Sequence, residues 1–416
     1  MNYDVIVIGG GPAGLTAAIS AKKNAASVFL IEREGRLGGI LKQCIHDGFG
    51  QMRYGKLLTG PEYIHLIEDE FSRLEIPYAI QSFVTEIQKK PDGFFLSVVS
   101  NRGIEHFSCK SLILATGCRE RTAKQVFIHG TRPAGIFTAG CAQHLTNLLG
   151  EMPAGRTVIL GSGDIGLIMA RRLTLEGGTV LGVYEAKSEP SGLQRNISQC
   201  LNDFGIPLHL SKTVTRVFGD SRLTAVEICG VDEGMQPIPG TEEILECDTL
   251  ILSVGLIPEN ELAEKLGVAT DRNTKGPICN QNFMTNVDGV FSCGNACFVH
   301  DLVDYACDGA EMAGKFAAEY ASKPRKHCGV NINVGNNVLF TVPTFLDCDG
   351  NQDVTVYFRS KSLIKNGTFR ITVDGKNVFA KKYPILRPPE MECIKFDFSQ
   401  WNISQDSAIS VDIVPT

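Results

Sequence analysis

The chain has 416 residues, of which 21% are charged and 43% hydrophobic, and a formal net charge of -6. That length exceeds one ordinary core and predicts two or three packed units, and the composition lies far from the signature of disorder. No basic run offers a footprint for a nucleic-acid backbone or an anionic bilayer surface, and no apolar run reaches the length of a membrane span.

The opening MNYDVIVIGG has neither the basic segment nor the longer apolar stretch of a secretory leader, so cytoplasmic residence is the default expectation. From Asp4 to Ile8 it reads as a short buried strand running straight into Gly9-Gly10-Gly11-Pro12-Ala13-Gly14. LTAAISAKK then has helical composition. In a strand, glycine turn and helix of this kind, Gly9 permits the tight turn and Gly11 lets the backbone approach a pyrophosphate. Gly14 lets helix and strand pack closely, and the helix N-terminus offers unpaired N–H groups to the phosphates. The next strand, SVFLIE, ends at Glu32, near the spacing at which an acid accepts ribose hydroxyls. Cys44 and His46 follow the Gly38-Gly39 turn. Each is either a group beside a cofactor, as thiolate or proton donor, or a passive packing and loop residue. Lys42 and Arg119 supply positive charge to the same neighbourhood or to solvent.

KSLILATGCRER predicts a buried strand ending in Ala115-Thr116-Gly117. The first pattern then recurs: TVILGSGDIGLIMARRL carries Gly161, Gly163 and Gly166 between strand and helix, and TVLGVYE ends at Glu185. An acid there suits the free 2'-hydroxyl of NAD and repels the 2'-phosphate of NADP, so NAD(H) is favoured. CDTLILSVGLIPEN repeats the closing-strand form with Val254-Gly255, and TNVDGVFSCGN is a further strand ending in glycine. His300 and Asp301 follow in FVHDLVD. They form either a proton-shuttling pair near neutral pH or a loop-closing element in which Asp304 caps the next helix, read from Asp304 to Tyr320.

Fourteen cysteines without a CxxC pair fit free thiols in a reducing compartment. Cys293, Cys297 and Cys307 are the nearest grouping, but they lack the spacing and fourth ligand of an iron–sulfur or zinc site, so no metal is assigned. After residue 326, DVTVYFRS, TFRITVDG and NVFAKKY, with NG and DG pairs, predict strands and hairpin turns in a small β-rich domain for packing or subunit contact.

The ordered set GGGPAG, LGG, ATG, GSGDIG, SVGLIP and FSCGN resembles the two-dinucleotide flavoproteins that include the pyridine nucleotide disulfide oxidoreductases. That resemblance implies an α/β fold with two Rossmann-like dinucleotide-binding domains. The FAD domain is discontinuous (1–125 and 270–325), the NAD(H) domain is inserted (126–269), and a β-rich domain covers 328–416. FAD would rest on Gly9, Gly11, Pro12, Ala13, Gly14, Glu32, Arg33, Gly38, Gly39, Val84, Ala115, Thr116 and Gly117, with Gly294, Asn295 and Val303 completing the site. NAD(H) would dock on Gly161, Gly163, Asp164, Ile165, Gly166 and Glu185, with Gly255 nearby. Two departures stand out: the family's Gly-Asp is Gly294-Asn295, and the redox cysteine pair is reduced to Cys44, with Phe49 where a CxxxxC partner would stand.

GGILKQCIHDGFG, ATGCRERT, GTRPAGIFTAGCAQ and CGNACFVHDLVDYACDGAEMAG are similar to a narrower group, the flavoprotein subunits of sarcosine, opine, cyanide-forming glycine and glycerol 3-phosphate-type oxidation. The resemblance implies a heteromeric enzyme in which a partner flavoprotein oxidises an amine or hydroxyl carbon and this chain relays electrons. A stand-alone NADH oxidase or quinone reductase, and a non-catalytic nucleotide-binding assembly subunit, remain alternatives.

Overall fold

The computed structural model describes every residue except 154, 327, 351 and 416. The chain forms two compact units, one from Met1–Cys118 with Pro258–Thr416 and the other from Arg119–Ile257.

In the first unit, Val5 to Ile8 are buried on both faces, which is what a central parallel strand requires. Asn2–Ile8 lies between Val28–Ile31 and Gly103–Leu114, parallel to both, and Val290–Ser292 also runs parallel to Gly103–Leu114. Gly93–Ser100 and Phe83–Lys90 extend the sheet antiparallel. The Pro12–Lys23 helix begins at Gly11 with Pro12 in its first turn, where a missing N–H costs no hydrogen bond. It packs on the Val303–Ser322 helix through small residues: a Cβ on Gly314 would stand 2.2 Å from the Ala17 carbonyl oxygen, and Ser20 Oγ donates to the Glu311 carbonyl at 2.6 Å.

The Val303–Ser322 helix is capped by Leu302, and Asp304 lies inside its first turn, where Oδ2 accepts from the Met52 N–H at 3.1 Å. The capping role expected for Asp304 is therefore corrected: its carboxylate ties down the loop around residue 52.

The same unit carries the C-terminal strands in a five-stranded and a three-stranded sheet, cored by residues such as Phe358 and Phe369, whose ring centroids are 4.1 Å apart. Asp374-Gly375, both at positive φ, is the hairpin turn between Ile364–Val373 and Lys376–Leu386, as the sequence predicts. The Asn366-Gly367 pair makes no turn. Gly367 is paired with Tyr383 on one side and Pro415 on the other, so the strand runs through it.

In the second unit a five-stranded parallel sheet orders Ile136–Thr138, Thr249–Leu252, Arg156–Leu160, Thr179–Glu185 and Leu208–Leu210. The Asp164–Leu175 helix follows Arg156–Leu160 across the second glycine turn. A four-stranded sheet built on Lys212–Gly219 and Leu223–Gly230 completes the unit. Among the described residues no helix is long and apolar enough to cross a membrane.

Candidate functional site: two glycine cradles

Each unit carries one cradle at the C-terminal end of its parallel strands. In the first, Gly9 has φ of +110°, and a Cβ there would stand 2.2 Å from the Ala115 carbonyl oxygen. One on Gly14 would sit 1.8 Å from the Gly9 carbonyl oxygen, so strand, turn and helix meet in contact that only hydrogen allows. Gly11 is different. A Cβ built there meets nothing within 4 Å among the described residues, and Gly11 sits at the uncapped N-terminus of the helix. Open space in front of unpaired N–H groups is what a pyrophosphate needs. Gly39 and Gly294 close in from either side, their Cβ positions 3.0 Å from Gly11 Cα and 2.6 Å from Ala13 Cβ.

Glu32 is buried behind this turn, one oxygen accepting from the Gly10 N–H at 2.5 Å and the other from the Glu34 N–H at 2.7 Å. Its carboxylate thus shapes the loop. Thr116 Oγ1 donates to the Glu259 carbonyl at 2.7 Å, Arg33 lies 4.0 Å from Glu259, and Gly117 has φ of +73°. Val84 is a core residue of Phe83–Lys90, and Val303 begins the Val303–Ser322 helix against the main core.

The second cradle repeats the first. A Cβ on Gly161 would stand 2.1 Å from the Ser253 carbonyl oxygen and one on Gly166 2.7 Å from the Gly161 carbonyl oxygen, while Gly163 caps the helix with no side-chain bond. Glu185 is buried and receives Ser162 N–H at 3.0 Å, Ser162 Oγ at 2.6 Å and Lys187 N–H at 3.1 Å. Asp164 accepts from the Leu193 N–H and Asn196 Nδ2, which straps the following loop to the helix start. Ile165 is partly buried against the unit's core, and Gly255 sits at φ of +104°. Ser162 and Ser253 were not singled out by sequence. Ser253 Oγ accepts from the Gly166 N–H at 3.1 Å, a cap that becomes visible only once strand and helix are side by side.

The expected catalytic residues fare differently. Burial pushes the Cys44 thiol up to about 12, and Sγ donates to the Ile40 carbonyl at 3.4 Å, so the thiolate reading is corrected: the group stays protonated at neutral pH. His46 Nδ1 lies 2.9 Å from the Asp47 carbonyl oxygen and its ring faces Phe49 at 5.0 Å. Lys42 pairs with Glu68 at 2.8 Å, while Arg119 is the first residue of the second unit.

His300 and Asp301 are neighbours in sequence but not partners. His300 N–H donates to Asn295 Oδ1 at 3.0 Å, with Nδ1 3.3 Å from the same oxygen, whereas Asp301 is held by Arg359 and the Met391 N–H. Burial, with a smaller contribution from the Arg359 charge, pushes the His300 imidazole down to about 3. The proton-shuttling pair expected near pH 7 is corrected on both counts. Cys293, Cys297 and Cys307 are fully buried, and Cys297 Sγ lies 3.5 Å from Cys279 Sγ. Among the described residues no cluster of His, Cys, Asp or Glu could hold a metal ion.

Residues 3–338 match the family model of the pyridine nucleotide-disulphide oxidoreductases. The chain belongs to that family. The family's description names oxidoreductases linked to a pyridine nucleotide. Among curated relatives of this family member, an opine oxidase subunit of Agrobacterium tumefaciens is 25% identical over 344 residues, covering 77% of this chain and 64% of that protein. The hydrogen cyanide synthase subunit HcnB of Pseudomonas aeruginosa is 28% identical over 291 residues, covering 64% and 60%. The match therefore spans less than two thirds of either relative. Ferredoxin–NADP reductase 2 of Bacillus pumilus is 22% identical, covering 74% of this chain and 88% of that protein. In fold, the chain is similar to the thioredoxin reductase of Lactococcus lactis, with a TM-score of 0.63 at 22% identity over 77% of this chain and 99% of the other.

The residues present fit the family's dinucleotides: each cradle has a helix whose N-cap glycine makes no side-chain bond to the first turn, and that glycine's Cβ position meets no backbone closer than 3.9 Å.

Proposed function

We propose that this chain is the FAD- and NAD(H)-binding subunit of a heteromeric dehydrogenase or oxidase, relaying electrons for a partner flavoprotein subunit that oxidises an amine or hydroxyl carbon. The observation that carries the reading is two glycine cradles in one chain with Cys44 protonated and Phe49 in place of a second redox thiol. Relatives named as oxidase and synthase subunits support it.

When bound, the flavin supplies reversible hydride exchange with a nicotinamide. The protein's own share is to hold phosphates on the N–H groups beside Gly11 and Gly163 and to keep each turn in shape through Glu32 and Glu185. The buried Glu185 carboxylate disfavours a 2'-phosphate, which supports NAD(H) over NADP(H).

Anaerobic titration of the purified protein tests this reading. NADH is expected to bleach the flavin absorbance at lower concentration than NADPH, and tagged protein is expected to copurify with a second flavoprotein. Rapid oxygen turnover without any partner would make the chain a self-sufficient NADH oxidase. Flavin that stays oxidised under excess NADH, yet is reducible by dithionite, would make it a nucleotide-binding assembly subunit.

A further inference from the structure

The family match ends at residue 338, yet residues beyond it grip the segment that follows Gly294-Asn295. Asp301 is held at both oxygens by that region: Oδ1 accepts from Arg359 Nη2 and Oδ2 from the Met391 N–H at 2.6 Å. The other arm of the Arg359 guanidinium, Nη1, donates to the Pro388 and Pro389 carbonyls. Arg359 has 13% of its side chain exposed and Asp301 29%, so the guanidinium is largely shielded while the carboxylate reaches solvent, and the geometry of the pair is fixed by bonds at both ends. Tyr357, two residues earlier on the same strand and so on the same face, lies 5.4 Å from the Phe298 ring, which in turn lies 4.0 Å from the His300 ring.

The segment before Gly294 is gripped as well. Gln281 and Asp347 exchange two hydrogen bonds, at 2.8 and 2.9 Å, and the Thr344 N–H donates to the Cys279 carbonyl at 2.9 Å. The C-terminal strands thus splint both flanks of the Gly294-Asn295 turn. Arg359 lies at the head of a continuous path: Arg359 to Asp301, then along the backbone to His300, whose N–H meets Asn295 Oδ1. Asn295 carries no charge, so its usefulness to a bound flavin depends on where its amide is held.

We propose that Arg359 is a positioning residue for the flavin site: through Asp301 it fixes the 295–301 segment, and with it Asn295, against the bound cofactor. The proposal rests on the reading of Gly294 and Asn295 as part of the FAD cradle. It gives the C-terminal strands a role in cofactor chemistry beyond packing.

The test starts from the purified flavoprotein, stripped of FAD and reconstituted. Arg359→Gln is expected to weaken FAD about tenfold, as loss of a charged hydrogen bond does. It is also expected to shift the visible circular dichroism of the flavin and displace its midpoint potential, with Arg359→Lys recovering part of each change. Arg387→Gln, which breaks the Arg387–Glu390 pair in the same region, is expected to change none of them.

A folded Arg359→Gln protein with wild-type FAD affinity, spectrum and potential overturns the proposal. If that variant does not fold, Asp301→Asn carries the same test, since it keeps an acceptor but loses the charge. Failure of both variants to fold also counts against it and assigns the pair to stability alone. An unsubstituted protein that takes up no FAD refutes the cradle reading itself, whereas unchanged affinity in the variants refutes only the positioning role.

Discussion

Replacing Gly11 by valine separates a glycine kept for a ligand from one kept for the fold. The residue has φ of -76°, which any L-residue adopts, and a Cβ there meets no described atom within 4 Å. The flavin-free protein is therefore expected to change by no more than about 1 kcal/mol, the sum of small capping and chain-entropy effects. The new side chain projects into the space before the helix N-terminus, so FAD binding is expected to be abolished. With FAD at a hundredfold over its dissociation constant, binding contributes about 2.7 kcal/mol, or roughly 3–5 °C in Tm for a unit or chain of this size, and that increment should vanish in the variant. Gly14→Ala is the contrast. Its Cβ would sit 1.8 Å from the Gly9 carbonyl oxygen, so the flavin-free protein itself should lose about 1–3 kcal/mol or more. Differential scanning fluorimetry with and without added FAD, alongside flavin absorbance of the purified proteins, reads both. Gly11→Val protein with a full complement of flavin and an undiminished FAD-induced rise in Tm would refute the reasoning.

Gly163→Val is expected to leave the bound flavin and its spectrum intact while raising the NADH concentration needed to bleach it by at least about tenfold, read by anaerobic titration; its Cβ position touches only Ser253, at 3.6 Å or beyond. With its thiol pushed up to about 12, Cys44 should resist iodoacetamide at pH 7 in the folded protein, and Cys44→Ala should reduce its flavin with NADH at the wild-type rate; rapid alkylation followed by mass spectrometry would contradict this. His300 is expected to add acid sensitivity. Its folded pKa, about 3, lies below the unfolded value near 6.5, so the unfolded chain binds the extra proton and stability falls as pH drops from about 6.5 toward 3. The Tm of His300→Gln should fall less steeply over that window, and an identical pH profile would show the imidazole to be freely solvated.

The two cradles are legible in the amino-acid sequence because they are local: in each, a strand, a glycine turn and a helix follow one another directly, Asn2 to Lys23 and Arg156 to Leu175, and the first and last glycines of each turn answer to backbone contacts inside or beside that span. Gly9 and Gly14 meet each other, as Gly161 and Gly166 do, and the acids at residues 32 and 185 sit one strand away. The Asp374-Gly375 hairpin is legible for the same reason, whereas Asn366-Gly367, with similar turn chemistry and Asn366 likewise at positive φ, lies inside a strand because Gly367 is paired on both sides.

What the sequence alone determined is the pair of nucleotide folds and the loss of the redox cysteine pair. Tertiary structure decided the charge states and partners of the polar residues around them. Cys44 is protonated and His300 neutral because of burial, which depends on everything packed around them. Asp301 belongs to Arg359, 58 residues away, rather than to the adjacent histidine. Neither spacing nor composition encodes such a pairing, since it exists only once the C-terminal strands have folded back on the glycine–asparagine turn.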